Sequence, residues 1–350
     1  MHVMDTPFRV CLVGCGRISE RHLLALKALG EVGRIQLLGV CDTDIQRAED
    51  AAKLAGTDPF NNYVEMLRSQ RPDWVSICTP SGLHPKLGMI AADHGCHVVS
   101  EKPLGTNLAD IDQLIACCQK NQVRLFCVKQ LRLLPALQML KRAINKGRFG
   151  RILFAQTNVF WQRPQSYYDE AAWRGTMGLD GGVLLNQASH YVDALYWLIG
   201  EVESVAAITG RLGRTIESHD TASASVRFRR GTIGSINVTM LTYPKNLEGS
   251  ITILGETATV KIGGIGLNRL ESWQFADWDD DDKTAEESGG VVRAAPETVG
   301  HLGYYHHVID VLHGREPLDV DGTVARKSVE LALAVHESAG KGVCVQLPLT

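Results

Sequence analysis

No apolar run in this 350-residue chain approaches the ~20 residues that a bilayer-crossing helix needs. The N-terminus, MHVMDTPFRVCLVG, lacks the charged region, long apolar stretch and cleavage site of a secretory leader, so a cytoplasmic protein is expected. A charge excess of one sign is also missing. The 36 Lys and Arg against 39 Asp and Glu leave a net charge of -3, which gives nucleic acid or an anionic membrane surface no electrostatic hold. Nine cysteines are present, but none forms a CxxC pair. Eight lie within the first 127 residues, mostly in apolar strand-like runs, and are expected to be small buried hydrophobes in a reducing compartment. The histidines show no HExxH spacing, and adjacent His306 and His307 point to different helical faces, so no metal site is expected. The acidic run Asp277–Asp282 lacks EF-hand spacing and reads as a solvated loop. No internal repeat is visible.

What is present is ordered. The length exceeds the usual size of one hydrophobic core, and two domains are the default. Short strands rich in Val, Ile, Leu and Cys are expected at 8–13, 35–41, 74–78, 97–100 and 124–128. Helical patterns lie between them at about 18–29, 43–55, 62–70, 84–94 and 107–120, with Gly30, Gly56 and Gly95 where C-terminal caps are wanted. Strand–helix alternation predicts a doubly wound parallel sheet, a Rossmann-type dinucleotide-binding domain over residues 1–130. After it the grammar changes. A helix near 135–146, a strand near 151–161 and the helix 181–200 precede a run of longer strands separated by turns such as RRGT and GET, and two helices near 302–313 and 323–338 close the chain. Residues 131–350 are therefore expected to form an α+β domain with a large, mostly antiparallel open sheet.

The first strand runs into VCLVGCGRISERH. Gly14 permits a tight turn, and Gly16 lets a pyrophosphate approach the backbone where Arg17 and Ile18 open the first helix and its free N–H groups favour anions. Ser19 replaces the third glycine of G-x-G-x-x-G, a position that serves helix–strand packing and tolerates a small residue. The second strand ends LLGVCDTD, which puts Asp42 where an acid accepts hydrogen bonds from an adenosine ribose and repels a 2′-phosphate, favouring NAD over NADP. Asp44 is the alternative acid, with Asp42 then a helix N-cap. The third strand runs into CTPSGLHP, where Thr79, Pro80 and His84 are placed to line the cofactor. The fourth runs into SEKPLGTN, and Gln130 follows the fifth.

The segment GGVLLNQASHYVDALYWLIG, residues 181–200, is an inverted amphipathic helix. Asn186, Ser189, His190 and Asp193 fall at spacings of three and four on an otherwise apolar cylinder, so a largely buried helix carries a polar stripe with a histidine in it. A lone histidine in such a helix is more often a satisfied core residue. The company of a dinucleotide site moves the reading to one wall of a pocket.

Taken together, GCGRISERH, TPSGLHP, SEKPLGTN and NQASH resemble the Gfo/Idh/MocA family of nicotinamide-dependent sugar oxidoreductases, over essentially the whole chain. The family's EKP lysine reaches substrate and nicotinamide, which implies that role for Lys102, with Glu101 beside it at the cofactor. Its helix usually reads D-x-G-x-H or D-x-x-x-H. Here His190 is retained and the aspartate has become Asn186, which removes a negative charge that would favour protonated Lys102 and His190. VKQLR, NVFWQRPQSYYDEAAWRGT and MLTYPKNLEGSITILGE resemble one branch, the NAD-dependent 3-dehydrogenases of UDP-N-acetyl-2-amino-2-deoxyglucuronate, which supply lipopolysaccharide sugars. The resemblance also implies a homotetramer built through the open sheet.

Alcohol oxidation needs a positioned base as well as a hydride acceptor. His190 is the natural base at neutral pH, with Lys102 polarising the hydroxyl oxygen. The reverse assignment stays open, because a lysine partly desolvated beside a cationic ring also loses its proton readily. A nucleotide sugar acid needs cations and donors. Arg163, Lys245 and Asn246 are the choices, with Tyr167, Tyr168, Tyr243 and Gln130 nearby, and Trp173-Arg174 either beside the nicotinamide or a structural anchor. Two other readings remain: a dehydrogenase of a different sugar or inositol, and a non-catalytic dinucleotide-binding regulator, which would have no need of Lys102 and His190.

Overall fold

The computed structural model describes residues 6–349; the opening MHVMD of the expected first domain, and Thr350, lie outside the described residues. The first stretch runs β1 (Phe8–Val13), α1 (Ser19–Glu31), β2 (Ile35–Cys41), α2 (Ile45–Ala55), β3 (Asp58–Phe60), α3 (Tyr63–Gln70), β4 (Trp74–Ile77), α4 (His84–Asp93), β5 (His97–Ser100), α5 (Leu108–Lys120) and β6 (Leu125–Cys127). The second runs α6 (Pro135–Asn145), β7 (Ile152–Phe160), α7 (Gln165–Asp169), α8 (Gly182–Leu185), α9 (Ser189–Ile199), β8 (Val202–Gly210), β9 (Thr221–Phe228), β10 (Ile233–Thr239), β11 (Glu248–Gly255), β12 (Ala258–Gly263), β13 (Arg269–Phe275) and α10 (Asp280–Glu287). The chain ends with α11 (Gly300–Leu312), α12 (Gly322–Lys341) and β14 (Val345–Gln346).

These elements form two compact units. The first boundary falls between Gln130 and Leu131, but residues 296–326 return to the first unit, so the stretch 131–350 is not one domain as expected. The reason lies in α11, whose Tyr304 and Tyr305 are buried in the first unit: Tyr304 donates to the Cys127 carbonyl at 2.6 Å and Tyr305 hydrogen-bonds Ser76 at 2.7 Å.

The first unit is a six-stranded parallel sheet in the order β3-β2-β1-β4-β5-β6. Strands covered on both faces must be apolar throughout, and the side chains of Val10, Cys11, Leu12, Val75, Val98, Val99 and Phe126 are inaccessible to solvent. The cysteines follow the same logic. All nine are free thiols and six are buried, and burial pushes the thiols of Cys11 and Cys41 up to about 12 and about 11. The chain order reverses between β1 and β4, the crevice where such sheets bind ligands at their carboxyl ends. Gly56 and Gly95 adopt left-handed φ values of 70° and 76° after α2 and α4, as expected, but Gly30 stays inside α1 and Gly33, at φ 70°, takes its place.

The second unit carries an eight-stranded sheet in the order β13-β12-β11-β7-β10-β9-β8-β14. It is mixed rather than a pure meander: β7 enters between β11 and β10, antiparallel to the former and parallel to the latter. Its strands alternate buried and exposed residues, clearest in β9, which marks a sheet covered on one face. The other face carries a polar ladder across four strands. Ser223 donates to Asn237 (2.8 Å), Asn237 to Asn158 (3.1 Å) and Asn158 to Glu248 (3.2 Å).

The acidic run is not a solvated loop. Asp279 caps α10 in a reciprocal capping box with Asp282, and negative charge at that end opposes the helix dipole. Lys146, Arg142 and Arg148 reach Asp279, Asp281 and Asp282 at 2.7, 2.6 and 2.6 Å, and the Trp273 indole N–H donates to Asp282 at 2.7 Å. The charge density that reads as solvent-seeking serves cations from α6 and the turn after it.

On α12, the His336 ring stacks on His219 at 5.6 Å, and burial, reinforced by the neighbouring imidazole, pushes its pKa down to about 4. An unfolded histidine titrates near ~6.5, so between the two values only the unfolded state gains a proton. This contribution to stability is whole above about pH 6.5 and is lost as pH falls toward 4, by about 3 kcal/mol in all. Chemical denaturation of wild type and His336→Gln should therefore give a shallower pH slope for the variant in that window; parallel slopes would refute the assignment.

Candidate active site

The first unit contributes a dinucleotide cradle. Gly14 has φ +94°, and a Cβ there would lie 2.7 Å from the backbone of Cys78 and Thr79, so the turn off β1 closes against the end of β4 only with glycine. A Cβ on Gly16 would meet nothing within 4 Å, which leaves that backbone open to a close-approaching ligand. No side chain caps α1 at Ile18. Ser19 fills the third-glycine position by donating from its hydroxyl to the Gly16 carbonyl at 2.6 Å.

Asp42 stands at the end of β2. Its carboxylate accepts from the Cys15 N–H at 2.8 Å and the Asp44 N–H at 3.0 Å, bracing the glycine turn. Asp44 caps α2 by accepting from Gln46 N–H at 3.1 Å, so the helix cap belongs to Asp44 and the strand-end acid is Asp42. Two buried oxygens, Thr79 Oγ1 and Gln130 Oε1, have no protein partner. An open glycine backbone, an uncapped helix start and unspent hydroxyl and amide oxygens fit a dinucleotide.

Two residues expected at the cofactor are turned inward instead. His84 is buried on α4, with Nδ1 at 2.7 Å from the Pro103 carbonyl and Nε2 at 2.8 Å from the Thr79 carbonyl. Glu101 is buried and accepts from His22 and His301. The His84 ring and the Glu101 carboxylate both face protein groups and tie the loops at the carboxyl ends of the strands. Lys102, half-buried, follows Glu101 and precedes a cis Pro103.

The second unit holds His190, half-buried in the first turn of α9, and the expected single helix is broken. The Ala188 N–H reaches back to the Val183 carbonyl at 2.8 Å, five residues away, which unwinds residues 186–188 between α8 and α9. The polar stripe divides there. Asp193 does not line a pocket: Arg132 donates to it from Nε at 2.9 Å and Nη2 at 3.0 Å in a buried bidentate pair. Asn186 donates from Nδ2 to Asp180, a buried carboxylate that also accepts from the Gly175 N–H at 3.1 Å. Asp180 escaped the sequence reading; its one signal is the Gly181-Gly182 that turns the chain directly after it.

Arg163 and Asn246 do come together. Asn246 Oδ1 accepts from the Gln162 N–H at 2.9 Å and from Arg163 Nη1 at 3.4 Å. Tyr167 lies between two guanidinium groups, Arg163 at 5.5 Å and Arg174 at 4.4 Å from its centroid. Arg174 also donates to the Tyr167 carbonyl at 2.6 Å and pairs with Glu170, which is the structural-anchor alternative for Trp173-Arg174. Tyr168 is buried with an unpartnered hydroxyl, and burial pushes its pKa up. Lys245 and Tyr243 are exposed, Tyr243 at 95%. Trp161, with an unpartnered indole N–H, and Gln187, with an unpartnered amide, add buried polar atoms that the sequence reading did not single out.

Comparison with known proteins agrees with this architecture. Residues 8–129 match the family model described as "Oxidoreductase family, NAD-binding Rossmann fold", and residues 137–261 match the GFO/IDH/MocA C-terminal domain. The chain belongs to the Gfo/Idh/MocA oxidoreductase family. It is similar to the WlbA dehydrogenase of Bordetella pertussis crystallised with NADH and UDP-GlcNAcA, at 47% identity and TM-score 0.92 over 99% of this chain and 100% of that one. The corresponding complex from Chromobacterium violaceum matches at 44% identity and TM-score 0.94 over 100% of both chains. Among curated relatives, a D-apiose dehydrogenase of Paraburkholderia graminis is 27% identical over 64% of this chain and only 58% of its own length. As a Gfo/Idh/MocA member the chain is an oxidoreductase with an NAD-binding domain. No helix among the described residues is long and apolar enough to cross a membrane.

The two glycines should behave differently. Gly14→Ala should lower the melting temperature and abolish NADH binding, because its Cβ strikes backbone at a positive φ. Gly16→Val should fold normally and weaken NADH binding by roughly tenfold or more, because only the ligand's space is filled. Scanning calorimetry with NADH fluorescence titration separates them; unaltered binding in Gly16→Val would remove the pyrophosphate from this turn.

Proposed function

We propose that the chain oxidises the C3 hydroxyl of UDP-N-acetyl-2-amino-2-deoxyglucuronate to a ketone with NAD, on the way to lipopolysaccharide sugars. The observation that carries the reading is the full-length match, at 44–47% identity, to two dehydrogenases crystallised with NADH and UDP-GlcNAcA. NAD, when bound, supplies the hydride acceptor. Gly14, Gly16 and the start of α1 would hold its pyrophosphate, Asp42 its adenosine ribose, and Thr79 and Gln130 other polar groups.

The protein's own task is to bind and orient the sugar and to take the hydroxyl proton. His190 accepts that proton at neutral pH, and Lys102 polarises the same oxygen through its ammonium hydrogens; the two roles exchange if Lys102 enters neutral. Asn186, tethered to Asp180, presents an amide rather than a carboxylate, with the Asp180 carboxylate held behind that amide. Arg163, pinned over Trp161 and beside Asn246, meets the substrate's anionic groups, and Tyr167, Tyr168 and Gln130 supply further donors and acceptors. A homotetramer formed through the open sheet face belongs to the same reading, and light scattering measures it.

Incubation of the wild-type chain with NAD and UDP-N-acetylglucosaminuronic acid should produce NADH, at a rate well above that with UDP-N-acetylglucosamine. Equal rates would remove the carboxylate from recognition, and a failure of UDP to compete would remove the nucleotide. Lys102→Met and His190→Asn should each lose roughly 10²-fold or more in kcat while still binding NADH. Undiminished turnover in both would refute the chemistry assigned to them.

A further inference from the structure

The first unit contains a buried polar network that the reaction as described does not use. Glu101 Oε1 accepts from His22 Nε2 at 2.9 Å and from His301 Nε2 at 3.1 Å, and Glu101 Oε2 accepts from the Lys102 backbone N–H at 3.0 Å. His22 Nδ1 lies 2.7 Å from the Tyr305 hydroxyl, which lies 2.7 Å from Ser76 Oγ. Glu101, His22, His301, Tyr305 and Ser76 are all at most 7% exposed. The two imidazoles meet edge-on, their centroids 4.4 Å apart.

One assignment of protons satisfies every one of these contacts. Ser76 donates to the Tyr305 oxygen, Tyr305 donates to His22 Nδ1, and both histidines donate from Nε2 to an ionised Glu101. Burial by itself would raise the Glu101 pKa, but the two histidine donors outweigh it and hold the carboxyl well below its ordinary range. Burial keeps His22 neutral. A buried network with every member satisfied is rigid, because moving any atom strands a polar group without water to replace its partner.

Rigidity here falls on one residue. Glu101 directly precedes Lys102 and holds its N–H, while on the other flank the His84 ring lies between the Pro103 and Thr79 carbonyls, 2.7 and 2.8 Å away, and its single N–H donates to one of them. The backbone of Lys102 is thus gripped on both sides, which fixes the point from which its side chain sets out. We propose that His22, His301 and Glu101, with His84 on the far flank, are positioning residues that fix Lys102 for the hydroxyl of the substrate. This inference rests on the dehydrogenase reading above.

The same three groups are also a two-histidine, one-carboxylate set whose ligand atoms all lie within 4.8 Å of one another, and a metal is the rival occupant. The contacts of 2.9 and 3.1 Å are hydrogen-bond lengths, and the proton assignment above satisfies them without an ion.

The test compares wild type with His22→Leu, His301→Leu, His22→Gln, His301→Gln and Glu101→Gln, using the full chain, NAD and UDP-N-acetylglucosaminuronic acid. Glutamine returns a side-chain N–H near the place of histidine Nε2 and leucine does not. The leucine variants should lose roughly 10- to 100-fold in kcat, with the KM for NAD and the NADH dissociation constant within about threefold of wild type. The glutamine variants at His22 and His301 should recover most of that loss, and Glu101→Gln, which sets an amide N–H against a donor, should resemble the leucine variants. Leucine variants that bind NADH and turn over at the wild-type rate overturn the inference, as do glutamine variants no better than leucine. A wild-type melting temperature lowered by EDTA and restored by zinc also overturns it, by making the cluster a metal site. No NADH from wild type would instead sink the substrate reading and, with it, the inference that depends on it.

Discussion

One buried carboxylate organises the first unit. A charge with 4% exposure is stable only when surrounded by donors, and Glu101 obtains them from three places: His22 on α1, His301 on α11 and the backbone of its own loop. That demand joins Tyr304 and Tyr305 in tying residues 296–326 to the first unit, although seven strands of the second sheet precede them in sequence. It also reaches the dinucleotide cradle, since α1 is the helix that opens at Gly16 and Ser19. The histidine of GCGRISERH is therefore bound up with the EKP loop and not with the phosphate that the same segment would hold.

The second unit answers a similar problem differently. Its polar stripe looked continuous because a 3.6-residue period places 186, 189, 190 and 193 together. The break at residues 186–188 and the competition of other partners dissolve that unity. Asp193 is needed by Arg132, which is itself buried and cannot be left without a counter-charge. Only the part of the stripe at and after the break, Asn186 and His190, stays half-buried, where a ligand can reach it.

Local order was legible in the sequence where local physics decides it. The strands of the parallel sheet emerge within one or two residues because strands buried on both faces must be apolar throughout, and the glycine turns are marked by backbone conformations that other residues avoid. What was illegible depended on distance along the chain. Three-residue β3 carries a proline and no alternation, and it forms only because β2 offers an edge. The parallel pairing of β7 with β10 joins strands more than 70 residues apart, and nothing in either strand announces its neighbour. His301 stood in GHLGYYHH as one histidine among three, and Asp180 as a lone acid before a glycine pair. Each acquires meaning only from the partner that folding brings to it. For the same reason Glu101 and His84 were read toward the cofactor: a polar residue at a strand's carboxyl end faces a ligand or a neighbouring loop, and spacing does not distinguish the two.

The substitution of asparagine for the family's helix aspartate shows what such partners change. Read along the sequence, Asn186 deletes a negative charge from the site. In space, its amide is anchored to Asp180, whose other oxygen is spent on the Gly175 N–H. The carboxylate has been moved back behind a neutral group. A carboxylate in direct contact would favour the protonated forms of a nearby lysine and histidine; one screened by an amide exerts that pull more weakly while still fixing the orientation of the amide. The arrangement keeps an ordered amide, four residues before His190 in the chain, at the position where the family's helix carries a carboxylate.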